Sequence, residues 1–224
     1  MELIRKDAVH AWREILGPID SDTARDNKPQ SLRAKFGQDD INNVAHGSAT
    51  VEEAIAEVNF FFPKSRMSSN SVYTPASHFS KTNSTTCCII KPHAMHLAGD
   101  IIQAIKDEGF QIFGLETFHL DFGKAEEFLE VYKGVLENYG EVVKQLCSGM
   151  SLAMEIGVDN ENVDDVVTMF REFCGPQDSQ IGKLLRPTTL RARFGDSLAH
   201  NAIHCTDLPE DGPLEVEYFF RVLQ

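Results

Sequence analysis

Four residues near the end of the chain, Arg191, Asn201, His204 and Glu215, bring a cation, an amide, an imidazole and a carboxylate into one short segment. A neutral imidazole is a competent nucleophile toward phosphorus near neutral pH, because one ring nitrogen keeps its lone pair. The other nitrogen must then be held by an acceptor, and Glu215, eleven residues after His204, can fold back to supply one. Phosphoryl transfer also needs positive donors around the moving oxygens. Arg171, Arg191 and Lys91 are the candidates: arginine presents a planar fork suited to phosphate, lysine a point charge. Asn201 could bond a ribose hydroxyl or a phosphate. Each residue also has a plain structural use. A strand histidine can be a satisfied core residue, and an acid near a helix start complements the helix dipole.

The same residue types occur earlier in the same order. Arg33, Asn43, His46 and Glu57 precede Arg191, Asn201, His204 and Glu215 by 158 residues each. Arg13 with Arg171, and Gly17-Pro18 with Gly175-Pro176, keep that offset. An ungapped repeat of this kind marks a duplicated domain. Applied to Lys91, the offset points before Met1. Residues 1–62 are therefore expected to be the C-terminal half of a first, truncated domain. That half should be unable to complete a sheet of its own, and a closed four-stranded sheet within it would overturn the reading. Residues 63–85, rich in Ser, Thr and Asn, read as a linker. Residues 86–224 read as a complete second domain.

A formal net charge of −13 argues against nucleic acid or anionic membrane as a general partner. A bound anion must find a local cluster of cations. Five cysteines, an odd count with no Cys-x-x-Cys pair, read as reduced thiols and suggest no zinc site. The charged start of the chain lacks an apolar signal core, and no apolar run nears the ~20 residues of a membrane helix. The expectation is a soluble, cytoplasmic protein.

The elements that must position these residues follow from periodicity and punctuation. Helices are expected over Leu3–Leu16, stopped by Gly17-Pro18, and over Val51–Phe62, capped by Thr50. Ser31–Phe36 could form one helical turn, Ile19–Gln30 shows little pattern, and Val44–His46 is a short strand candidate. In the second domain, strands are expected at Cys87–Ile90, Phe110–Leu120, Ser151–Ile156 and Ala202–His204. Helices are expected around Leu97–Ile105, over Lys124–Val135, Tyr139–Cys147 and Val163–Cys174, and near Leu214–Phe220. The order β-α-β-β-α-β predicts an α+β fold, a ferredoxin-like four-stranded antiparallel sheet with helices.

On these residues the chain resembles the nucleoside diphosphate kinase family. Ile89-Ile90-Lys91-Pro92-His93-Ala94 is similar to its opening strand and active-site lysine, and Tyr132 to the tyrosine near its catalytic histidine. Ser148-Gly149 is similar to its Ser-Gly-Pro stretch, with Met150 in place of proline. The resemblance implies that His204 is the phosphorylated histidine and that Glu215 orients it. It also implies that Arg171, Arg191 and Asn201 contact phosphate and ribose and that Tyr139 stacks the base. Ping-pong transfer from a nucleoside triphosphate to a nucleoside diphosphate would follow, with Mg2+ arriving on the nucleotide. The sequence departs from the family's Gly-Ser after the histidine, having Cys205-Thr206, and has Gln177 where the family places a threonine. The first copy keeps His46-Gly47-Ser48. Gly175-Pro-x-Asp178 and His204-Cys-Thr-Asp-Leu-Pro-Glu-Asp-Gly212 are similar to the divergent tandem-domain members. For those, the resemblance implies a cytoskeletal setting at the ciliary axoneme or centrosome. The alternative function is then a kinase-derived interaction protein of microtubules, the axoneme or the γ-tubulin complex.

Overall fold

The computed structural model describes residues 1–62, 85–136, 138–159 and 165–223. They fall into two compact units, one on each side of residues 63–84. The expected linker lies almost wholly outside the described residues.

The second unit is built around β1, Thr86–Ile90 (Thr-Cys-Cys-Ile-Ile), which is buried at every position. Such a run has no polar face and must be covered on both sides. The sheet order is β2-β3-β1-β4, with β2 spanning Gln111–His119, β3 Met150–Gly157 and β4 Ile203–Cys205. All three pairings are antiparallel, with Thr86 opposite Ile156 and Ile89 opposite His204. This is the βαββαβ arrangement. Cys88 and Ile90 pack with Ile101 and Ile105 of α5 (Ala98–Asp107) and Phe170 of α8 (Val166–Cys174). Cys87 and Ile89 face the other layer, with Val142, Val143 and Leu146 of α7 (Tyr139–Leu146) and Val216 of α11 (Gly212–Glu217). Fully buried side chains such as Phe170 and Ile89 contribute roughly 1.5–3 kcal/mol each relative to exposure.

Several boundaries differ from the periodicity. The helix expected over Lys124–Val135 stops early: α6 is Phe122–Phe128, a 3-10 turn follows at Glu130–Tyr132, and Gly134 takes φ 83°. That break turns Phe128 and Tyr132 toward one place. Residues 179–185 form a helix, α9 (Ser179–Leu185), that the apolar pattern did not predict; Asp178 caps it by accepting from the Gln180 N–H. Next comes α10, Leu190–Phe194. The last helix continues past Glu217 as a π-turn over Tyr218–Val222.

The first unit is α1 (Ala8–Leu16), α2 (Ser21–Asn27), α3 (Leu32–Phe36) and α4 (Val51–Phe61). The helix expected from Leu3 starts only at Ala8, after Asp7 at φ 56°. Helix α2 arises in the stretch without pattern because Asp20 accepts from the N–H groups of Asp22 and Thr23. Val44–His46 is not a strand, and every strand among the described residues belongs to the second unit. A three-residue strand needs a neighbouring strand for its N–H and C=O groups, and none of the described residues pairs with it in this way. No helix among the described residues is long and apolar enough to cross a membrane.

Candidate active site

The site starts from a turn. Ala202 is fully buried and takes φ 67°, a left-handed conformation that costs a non-glycine residue about 1–2 kcal/mol. It directs the chain from Asn201 into β4. Alternation along β4 sends His204 to the face shared with Ile89 and Cys205 to the opposite face. The His204 ring lies edge-on to Phe128, with centroids 4.9 Å apart, and 6.3 Å from the Tyr132 ring.

His204 Nε2 meets Glu215 Oε2 at 2.9 Å, in the first turn of α11. Thr206 Oγ1 donates to the same carboxylate oxygen at 2.9 Å and accepts from the Cys87 N–H at 3.1 Å. The carboxylate is thus fixed by two donors. It keeps the histidine hydrogen on Nε2 and leaves the Nδ1 lone pair free to act.

Arg191 is buried and held by three acceptors: Ile203 O from Nε (3.2 Å), Gly175 O from NH1 (2.9 Å) and Cys205 Sγ from NH2 (3.4 Å). Burial works against its charge, but the Cys205 sulfur, and then Cys174, more than offset that and raise its pKa. Reciprocally, a hydrogen bond from Cys174, together with Arg191, pulls the Cys205 thiol below its usual range against the effect of burial. The cysteine that replaces the family's glycine therefore points away from the His204 ring and lies under Arg191.

Lys91, 6% exposed, directly follows β1. Burial, and then the neighbouring Arg191, push its amine down to about 7. Lys91, Arg191, Asn201, His204, Phe128 and Tyr132 line a single cavity of about 40 Å³. Asn201 Nδ2 donates to Gln177 O at 3.0 Å, while its Oδ1 is buried without a partner. These side chains form one constellation.

Two expected contacts lie outside it. Tyr139 does not line the cavity; it starts α7, and its hydroxyl donates to Glu126 O at 3.3 Å. Phe128 and Tyr132 are the aromatic walls instead. Arg171 also stays off the cavity, its side chain 55% exposed, and pairs with Asp207 Oδ1 at 3.2 Å. Asp207 Oδ2 in turn accepts from the Tyr132 hydroxyl at 2.7 Å. Burial and this carboxylate raise the Tyr132 pKa, so the phenol keeps its proton. Sequence reasoning did not single out Asp207 or Phe128. Asp207 has Ala49 as its counterpart in the repeat, so the offset gives no sign of it. Phe128 is recognisable only once the helix breaks after it.

The repeat is also a repeat of hydrogen bonds. Arg33 NH1 donates to Gly17 O at 2.9 Å, as Arg191 does to Gly175 O. Asn43 Nδ2 donates to Ile19 O at 3.2 Å, as Asn201 does to Gln177 O. His46 Nε2 meets Glu57 Oε2 at 2.9 Å, and Ser48 Oγ donates to Glu57 Oε2 at 2.6 Å. Gly17 and Gly175 share φ 80°, and Val44 at φ 79° answers Ala202. Arg13, the counterpart of Arg171, lines an open cleft between α1 and α4. The two histidines differ in surroundings: the His46 side chain is 74% exposed, that of His204 10%.

Comparison with known proteins adds to this geometry. The family model described as nucleoside diphosphate kinase matches residues 1–67 and 84–224. Nucleoside diphosphate kinase homolog 7 of Rattus norvegicus is 48% identical over the whole chain, and its Mus musculus counterpart 47%. The chain spans about half (54%) of the length of these relatives. Among solved structures, the Aquifex aeolicus nucleoside diphosphate kinase is 34% identical with a TM-score of 0.55. The match covers 62% of this chain and 96% of that one. The Halobacterium salinarum nucleoside diphosphate kinase, solved in complex with CDP, is 25% identical with a TM-score of 0.53, covering 61% and 87%.

Proposed function

This chain belongs to the nucleoside diphosphate kinase family, and from that premise we propose that its second unit transfers the terminal phosphate of a nucleoside triphosphate to a nucleoside diphosphate through His204. The observation that carries the proposal is the His204–Glu215 bond of 2.9 Å beside a cavity walled by Lys91 and Arg191. In this reading Nδ1 of His204 attacks the γ-phosphorus. The bond from phosphorus to the bridging oxygen breaks, and the nucleoside diphosphate departs with that oxygen. Glu215 holds the ring and stabilises the charge that builds on it. Lys91 and Arg191 meet the equatorial oxygens, and a second nucleoside diphosphate reverses the sequence. Asn201 Oδ1, buried and unpartnered, suits a ribose hydroxyl. Magnesium enters as part of the nucleotide substrate. Among the described residues no three His, Cys, Asp or Glu converge to hold a metal themselves.

Two features define what binding requires. A nucleotide entering beside His204 would meet Phe128, Leu129 and Tyr132, which wall the cavity on the α6–α7 side. Arg171 must also exchange Asp207 for phosphate. The Arg171–Asp207 pair competes with phosphate and would slow turnover, and it is the observation behind the second reading, a kinase-derived interaction protein. Its partners would be cytoskeletal, of the axonemal, microtubule or γ-tubulin kind, and its place the axoneme or centrosome.

The test uses the purified chain with γ-labelled ATP. The expected result is an acid-labile, base-stable phosphoenzyme that loses its label when a nucleoside diphosphate is added, and no label on His204→Asn. Nucleotide binding without label on the wild type would reject the transfer reaction and leave the interaction reading.

A further inference from the structure

The turn at Ala202 is gripped from both sides by one short segment. Its carbonyl accepts from the Lys91 N–H at 2.9 Å, and its own N–H donates to His93 Nε2 at 3.3 Å. Residues 91 and 93 flank Pro92, so a single bend holds both polar groups of the residue that aims Asn201 and His204. On its other side His93 Nδ1 lies 2.6 Å from the side-chain amide of Gln145, which is 5% exposed. A neutral imidazole that accepts at Nε2 carries its hydrogen on Nδ1. Gln145 must then turn its carbonyl oxygen to the ring, and that oxygen is buried with no other partner.

We propose that neutral His93 is a positioning residue for the transfer described above: through the Ala202 amide it holds the turn that aims Asn201 and His204, and a proton on its ring releases that turn. This rests on the function proposed in the preceding section. A protonated ring has no lone pair on Nε2, so the fully buried Ala202 N–H loses its acceptor and the left-handed turn loses a bond that holds it. The groups facing His93 are the His200 ring, edge-on at 5.0 Å, the Lys91 amine and the Asp196 carboxylate, with the uncharged Gln145 beneath. Burial, then the His200 ring and Lys91, hold the imidazole neutral, against the opposing pulls of the His200 backbone carbonyl and then of Asp196.

The experiment uses the full chain. Nitrogen-15 NMR of the imidazoles is expected to show His93 as the Nδ1–H tautomer, with the Ala202 amide shifting as His93 protonates. His93→Gln places an uncharged acceptor near Nε2. It should keep phosphoenzyme formation within about threefold of wild type at pH 7.5 and remove one step from the acid limb of the rate profile. His93→Leu should slow phosphoenzyme formation about tenfold at every pH while nucleotide affinity moves less than threefold. An Ala202 amide that ignores His93 titration, or a His93→Gln profile matching wild type on the acid limb, overturns the proposal. If the wild type forms no phosphoenzyme, the transfer reading fails on its own, and the NMR titration still decides whether His93 holds the turn.

Discussion

Lys91 shows how far a buried charge shapes this site. Its amine falls from the ordinary 10.5 to about 7, chiefly through burial. Between those values the unfolded chain binds the extra proton, so stability should rise as pH climbs from 7 toward 10.5. Below 7 the penalty for the buried ammonium is fully present. Lys91→Met is therefore expected to stabilise the second unit by at least about 1 kcal/mol at pH 6, with the gain shrinking toward pH 10, while nucleotide affinity collapses. Thermal melts of both proteins across that range, set beside nucleotide titration, test the pair of effects. A variant less stable at pH 6 would mean that the amine is better solvated than its burial indicates. The bond partners of Arg191 make the same point about legibility. Its residue type was readable as a phosphate fork, but its three acceptors come from Gly175, Ile203 and Cys205 and emerge only from the packing of α8, α10 and β4.

At the scale of elements, β1 and β3 were legible because buried strands leave apolar runs, and the largely exposed β2 through the partial alternation of Phe110, Ile112, Phe118 and Leu120. Helices α2 and α9 were not, because each is seven residues long and rests on an aspartate cap rather than on an apolar stripe. The strand expected at Val44–His46 failed for a different reason: the residues suit a strand, but pairing is a property of two segments. The end of α8 joins both kinds of information. Gly175 has φ 80°, and a Cβ there would strike the Thr189 side chain. Its carbonyl also accepts from Arg191. Gly175→Ala should therefore destabilise the second unit by about 2–4 kcal/mol and weaken nucleotide binding by displacing Arg191. Urea denaturation read beside a binding titration would reveal both, and a near-neutral change in stability would contradict the clash.

At the scale of the whole molecule, the two units differ in how much they bury. The second carries two apolar layers, one on each face of its sheet. In the first, the buried apolar side chains are Leu16, Ala24 and Ala34, whereas Phe60 is 80% exposed and Ile41 84%. Few buried contacts mean low opening free energies. Amide exchange should therefore be complete in α1–α4 while β1 and β3 remain protected, and chymotrypsin should cut first near Phe60 and Phe61. Exchange as slow in α1 as in β1 would show that something else shelters the first unit.

His46 and His204 share a carboxylate at 2.9 Å and a hydroxyl on that same carboxylate, yet one lies in water and the other behind aromatic walls. The molecule thus holds a matched pair in which solvent access is the principal difference. Carbethoxylation by diethyl pyrocarbonate, followed by peptide mapping, should modify His46 many times faster than His204. Saturating nucleotide should then slow His204 further and leave His46 untouched. The ratio of the two rates becomes an internal gauge of how far the aromatic walls shield His204 from water, readable in one tube and independent of protein concentration.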